Sequence, residues 1–326
     1  IEKPIRNNKS FLGNKRNTYI FSISSLFLAI TSIYSLSKNT QFFYLGNKEL
    51  IKFSTVFKIR INNKIIQDNE CQSKLVFKGE RPQCIVLPKD KIKTNIYLFG
   101  DSHMQHYLPL FEYVNKVKGY GYIFHGRSGI PLGKRKNINS GFVDESVNRF
   151  VIEETIKNLS KNDIFIISER HERNFAPKML DGDQNKNIFF NGDKEISKIQ
   201  ALERYSIYLK SLFKKIDKRG ATLIIFQPTT SFRGTTLPPN ICRQKFASLN
   251  PDCEKGLSLN RQMIMENLSG IRSMHLRIAE ETNQGIKVFD PSEIICPPKR
   301  KECTQILNKT PLYMDNDHLS EEGALL

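Results

Sequence analysis

The chain has 326 residues, 39% of them hydrophobic and 25% charged, with 50 Lys and Arg against 33 Asp and Glu. This composition excludes wholesale disorder, collagen and coiled coil, and the length allows about two domains or one large α/β domain with extensions. The formal net charge of +17 is spread among many Asn and Ile rather than gathered in a basic helix or an arginine block. It predicts attraction to polyanions and no nucleic-acid partner.

The chain opens on Ile1, as expected of a piece of a longer product. From Thr18 to Ser37 run 20 uncharged residues, 12 apolar or aromatic and eight Ser or Thr. That length is what a bilayer-spanning helix needs, with a signal-peptide core or a buried soluble helix as alternatives. The flank before it carries Lys3, Arg6, Lys9, Lys15 and Arg16 against a single Glu2. The positive-inside rule then predicts residues 1–17 in the cytoplasm, a transmembrane helix over 18–37, and everything after Lys38 on the far side. Residues 38–93 read as a mixed, basic extension. The six cysteines fall in three close couples: Cys71 with Cys84, Cys242 with Cys253, and Cys296 with Cys303. They lack the tight CxxC spacing and nearby His of metal sites, so proximity predicts three short-loop disulfides in an oxidising compartment, with crossed pairings as the alternative.

From Thr94 a regular alternation begins. Predicted buried strands cover 94–99, 120–125, 163–168, 222–227 and 285–289. Between them, helical apolar spacing covers 103–117, 145–159, 199–216 and 258–282, the third ending at Lys218-Arg219-Gly220. Short apolar strands alternating with longer helices predict an α/β domain over 94–326. Its central parallel sheet would be covered on both faces, with its site at the strands' carboxyl ends. The segment 175–194, rich in Asn, Asp and Gly, reads as a loop insertion.

Beyond the first strand stands Gly100-Asp101-Ser102-His103. A Ser between strand end and helix start is either an N-cap or a nucleophile whose oxyanion meets free helix N–H groups. Near the other end comes Asp315-Asn316-Asp317-His318. A nucleophilic Ser needs a base, and the base needs a carboxylate to fix its tautomer. Asp315 and His318, three apart, can face the same way within one helical turn. Asp317, next to His318, is expected to face elsewhere or to cap the terminal helix. His103 and His106 with Asp101 lack a further ligand at fitting spacing, so no metal is expected. His125, His171 and His275 read as loop or helix-surface residues.

Here the chain resembles the SGNH hydrolase superfamily, whose first block matches Gly100–His103 and whose DxxH block matches Asp315–His318. The resemblance covers about residues 93–326 and implies a three-layer α/β/α, flavodoxin-like fold. It implies Ser102 as nucleophile, His318 as general base, Asp315 as its orienting partner and metal-free chemistry. For the oxyanion hole it implies the Ser102 amide with Gly129, or Gly126, after the second strand. Where the family has Asn after the third strand, this chain has Ser168-Glu169-Arg170-His171, and Arg170 is either a replacement donor or a solvated side chain. Residues 1–6 also resemble the end of the membrane core of acyltransferase family 3 (AT3), where periplasmic SGNH domains are fused after the last span. That layout implies a bacterial inner-membrane protein whose periplasmic domain O-acylates a surface polysaccharide such as lipopolysaccharide O-antigen. This domain would bind no cofactor; acetyl-CoA would be the ultimate donor, through the transmembrane acyltransferase domain of the same chain. An esterase or deacetylase with the same triad, and a membrane-anchored glycan-binding module, are the alternatives.

Overall fold

Alternating apolar runs bounded by Gly and Pro become strands because each must bury both faces. A computed structural model describes residues 15–38, 83–89, 94–126, 135–137, 141–143, 146–170, 187–191, 194–232, 258–307 and 310–326. In chain order the elements begin with α1 (Lys15–Lys38), β1 (Gln83–Val86), β2 (Asn95–Gly100), α2 (Ser102–Gln105), α3 (Leu108–Lys118) and β3 (Gly121–Gly126). Next come β4 (Arg135–Asn137), β5 (Gly141–Val143), α4 (Ser146–Asn158), β6 (Ile164–Ser168), β7 (Asn187–Asn191), β8 (Lys194–Ile196) and α5 (Lys198–Asp217). The rest are β9 (Thr222–Phe226), β10 (Ser258–Asn260), α6 (Arg261–Glu281), β11 (Ile286–Phe289), α7 (Ser292–Ile295), β12 (Glu302–Thr304), β13 (Ile306–Leu307), β14 (Thr310–Pro311) and α8 (Glu321–Leu325).

The main sheet has the order β1-β3-β2-β6-β9-β11. All neighbours are parallel except β1, which pairs antiparallel with β3 from Gln83↔His125 to Val86↔Tyr122. The five parallel strands, numbered as they occur, lie in the flavodoxin-like order 2-1-3-4-5. The order reverses between β2 and β6, so the crevice at their carboxyl ends is where this topology places a site.

Strand alternation sorts the core into two layers. Ile96, Leu98, Tyr122, Phe124 and Ile166 pack with Met104, Tyr107, Phe111, Ile264 and Leu268 on one face. Tyr97, Phe99, Phe165, Ile167, Leu223 and Ile225 pack with Ile152, Leu209, Leu212, Ile216 and Ile278 on the other. Helix α6 serves both layers, and the result is α/β/α.

The five predicted strands are present. The predicted helix over 103–117 is two helices, because Pro109 at the start of α3 supplies no N–H to continue the turn. Helix α3 ends on Gly119 at φ 74°, left-handed backbone that glycine adopts without strain. Short strands inside and beside the expected loop insertion form a four-stranded antiparallel sheet, β5-β4-β7-β8. The uncharged stretch 18–37 is helical within α1, and side chains such as Ile23, Phe27 and Leu28 are exposed. Among the described residues no helix is long and apolar enough to cross a membrane. Of the expected span over 18–37, the described side chains are those of residues 19–34. Cys296 and Cys303 form a buried disulfide with Cα atoms 5.1 Å apart, between α7 and β12. Cys84 stands in β1, opposite Phe124. Its expected partner Cys71, and the expected pair Cys242–Cys253, lie outside the described residues.

Candidate active site

The first parallel strand ends on Gly100, where close packing forbids a side chain. A Cβ there would meet the Ser168 carbonyl oxygen at 1.7 Å. This contact lets the ends of β2 and β6 approach at the switch point. Asp101 then caps α2: its Oδ1 accepts from the His103 N–H at 2.8 Å and its Oδ2 from the Arg170 N–H at 3.0 Å. The buried carboxylate therefore ties the end of β2 to the end of β6 and sets Ser102 at the first position of α2.

The partner loop arrives from the far end of the chain. Residues 314–318 are not helical; they form a bend closed by the Tyr313↔Leu319 bridge and by the Met314 N–H donating to the His318 carbonyl at 3.0 Å. Asp315 organises it, since its Oδ1 accepts from the N–H groups of Asp317 at 2.9 Å and His318 at 2.7 Å. A bond from the Phe232 N–H to the Asn316 carbonyl, at 2.6 Å, anchors the bend to the segment after β9. His318 Nδ1 lies 2.7 Å from Asp315 Oδ2, and His318 Nε2 lies 2.8 Å from Ser102 Oγ. An ionised carboxylate only accepts, so Nδ1 carries the proton and Nε2 is left to accept from the Ser102 hydroxyl. The structure thus brings Ser102, His318 and Asp315 into one hydrogen-bonded line.

Asp317 departs from expectation. It is buried rather than facing elsewhere, and Ser320, not Asp317, caps α8 by accepting from the Gly323 N–H. Its Oδ2 lies 2.9 Å from Arg170 Nη1 and 3.5 Å from His103 Nε2, while its Oδ1 lies 3.5 Å from His318 Nδ1. His103 Nδ1 in turn meets Thr229 Oγ1 at 3.1 Å. Arg170, considered for the oxyanion hole, is directed onto Asp317 by this ion pair. Gly129 lies outside the described residues, and Gly126 ends β3.

The charges follow from these contacts. Burial raises the Asp317 pKa, but His103, Arg170 and His318 together hold it well below the carboxylate range. Burial likewise opposes ionisation of Asp315, and its bonds from His318 and two backbone N–H groups outweigh that. For His318 burial disfavours the cation, yet the Asp315 hydrogen bond and the charges of Asp317 and Asp315 raise its pKa above the ordinary imidazole value. His106 is pushed well below that value by burial and then by the neighbouring His103 and His318. It is a neutral acceptor for the Leu319 N–H, at 3.4 Å.

Atoms of His103, Asp317 and His318 lie within 4.8 Å of one another, as metal ligands do. The Arg170 guanidinium already faces the same carboxylate, and its positive charge disfavours a cation there. Two other histidines are corrected as well. His125 is buried and stacks on Phe99 with ring centroids 4.6 Å apart. His275 is fully buried, paired with Gln227 Oε1 at 3.0 Å, and burial with Arg272 pushes its pKa down to about 3.

A family model described as "SGNH domain (fused to AT3 domains)" matches residues 70–326. The chain belongs to the SGNH domain family. Among curated proteins, none matches the sequence. Solved structures with a similar arrangement include the periplasmic domain of a Salmonella ser. Paratyphi A lipopolysaccharide acetyltransferase. It is 12% identical, with 85% of this chain and 95% of that one covered and a TM-score of 0.44. A putative SGNH hydrolase from Slackia heliotrinireducens is 10% identical, covering 71% and 92%, with a TM-score of 0.40. A putative acylhydrolase from Bacteroides fragilis is 16% identical, covering 73% and 84%, with a TM-score of 0.38. Membership of the SGNH family supports an acyl-related enzyme, a hydrolase or an acyltransferase, for this domain.

Proposed function

We propose that this SGNH domain transfers an acyl group, acetyl in the first instance, through an acyl-Ser102 intermediate to a hydroxyl of a bacterial surface glycan such as O-antigen. The observation that carries the reading is the Ser102–His318–Asp315 line, with bonds of 2.8 and 2.7 Å, at the switch point of the sheet. Ser102 Oγ attacks the donor carbonyl carbon while His318 Nε2 takes the hydroxyl proton. The oxyanion forms beside the Ser102 amide, with Gly129 or Gly126 as the proposed second donor. His318 then returns its proton to the leaving group as the acyl-serine forms. A sugar hydroxyl enters, His318 takes its proton, and collapse of the second tetrahedral species releases the new ester and restores Ser102.

The family's fusion to AT3 domains supports transfer over simple hydrolysis, because an AT3 domain in the same protein would deliver an acyl group drawn from acetyl-CoA. The Cys296–Cys303 disulfide supports an oxidising, periplasmic setting. The test is mass spectrometry of the cell's surface polysaccharide with the full-length protein carrying wild-type Ser102 or Ser102→Ala. Loss of glycan O-acylation in the variant, with expression unchanged, supports transfer. A gain of O-acylation identifies a deacetylase, and no change favours a glycan-binding role; either overturns the reading.

A further inference from the structure

The ring of His318 is faced from three elements. Its own bend supplies Asp315 and Asp317, α2 and the residue that caps its end supply Ser102, His103 and His106, and the segment after β6 supplies Arg170. The two carboxylates differ sharply in setting. The Asp315 side chain is 48% exposed, whereas that of Asp317 is 3% exposed and lies against Arg170, itself 8% exposed. A fixed charge acts more strongly from inside the protein than from the solvent edge, where water screens it. Asp317 is also held from a second element, because Arg170 is itself fixed: its backbone N–H is held by the buried Asp101.

We propose that Asp317, clamped by Arg170, is a second carboxylate partner of His318 and a positioning residue for the acyl chemistry. Asp315 orients the ring from the solvent side. Asp317 faces the same Nδ1 from within, at 3.5 Å, and favours the imidazolium that forms whenever Ser102 or an acceptor hydroxyl gives up its proton. Arg170 partly cancels that charge and so sets how much of it the ring feels. Asp317 touches no reacting atom; its effect passes through His318. The inference rests on the reading of His318 as the general base.

Opposite signs make the idea testable. Removing the Asp317 charge lowers the affinity of His318 for its proton, and removing the Arg170 charge raises it. The experiment is an NMR titration of the six histidines, labelled at Cε1, in the full chain without substrate. The His318 signal is assigned with His318→Gln. Asp317→Asn is expected to move the His318 midpoint down by about one pH unit, and Arg170→Gln to move it up. Arg170→Lys, which keeps the charge, restores the wild-type midpoint. The acid limb of aryl-acetate cleavage shifts in the same directions. Should Asp317→Asn fail to fold, the contrast between Arg170→Gln and Arg170→Lys carries the test. Midpoints that stay put, or move the same way in Asp317→Asn and Arg170→Gln, overturn the proposal. The titration needs no turnover, so its failure is separable from failure of the acyl-transfer reading, which Ser102→Ala decides.

Discussion

Asp101 stands beside Ser102, the proposed nucleophile, yet its role in the structure is mechanical. Its two carboxylate oxygens receive the N–H groups of His103 and Arg170 in a site 3% exposed. Asp101→Ala removes an N-cap, at about 1 kcal/mol. It also leaves the Arg170 N–H buried without its acceptor, at about 1–3 kcal/mol. The sum is about 3 kcal/mol, which for a domain of this size lowers the Tm by about 6–12 °C. Asp101→Asn keeps one acceptor oxygen for the cap but turns an NH2 toward one of the two donors, and is expected to cost about 1–3 kcal/mol. Both changes loosen the junction between β2 and β6, so Ser102 drifts from His318 and cleavage of an aryl acetate falls more than stability alone explains. The assays are thermal unfolding followed by circular dichroism and kcat/KM measured well below the Tm. Asp101→Ala within about 0.5 kcal/mol of wild type, with unchanged kcat/KM, refutes the reasoning.

Gly100→Ala would force a methyl group against the Ser168 carbonyl, so β2 and β6 must part; soluble yield and activity should fall together, and a variant of wild-type activity contradicts the packing argument. Replacing Cys296 and Cys303 by Ala frees a short loop worth about 2.5 kcal/mol by closure entropy, read as an earlier denaturant midpoint. Activity should rise as pH increases through the elevated His318 pKa, because only neutral imidazole accepts the Ser102 proton; an acid limb centred at or below about 6.5 argues against the ion-pair environment. The depressed pKa of His275 means the unfolded chain binds a proton there that the folded chain refuses. Stability is therefore lost as pH falls from the unfolded value toward about 3, and His275→Gln should flatten that slope in denaturation curves collected at several pH values.

The alternation of apolar runs was enough to place β2, β3, β6, β9 and β11, since a strand buried on both faces leaves a continuous signature in the residues. Gly100-Asp101-Ser102-His103 and the pair Asp315 and His318 were equally legible as residues that come together, because the proposed chemistry needs those residue types. The inward turn of Asp317 was not. Helical spacing turns neighbours of His318 away from it, whereas the observed bend folds Asp317 beneath the ring. A buried carboxylate needs a compensating cation, and Arg170, 147 positions earlier, supplies it through a sheet crossover that local pattern does not reveal. Short antiparallel strands such as β4, β5, β7 and β8 are too brief for periodicity, and polar Asn and Lys residues mask them. His275 reads as a surface residue of α6 until the opposing Gln227 is seen.

The central claim is that Ser102 carries the acyl group. Its most direct test is peptide-mapping mass spectrometry of the full chain, quenched in acid after brief exposure to an activated acetyl ester. Acetyl on the peptide containing Ser102, absent in both Ser102→Ala and His318→Ala, is the result expected from the 2.8 Å Ser102–His318 bond. Acetylation found only on other residues, or on Ser102 to the same extent without His318, would contradict it.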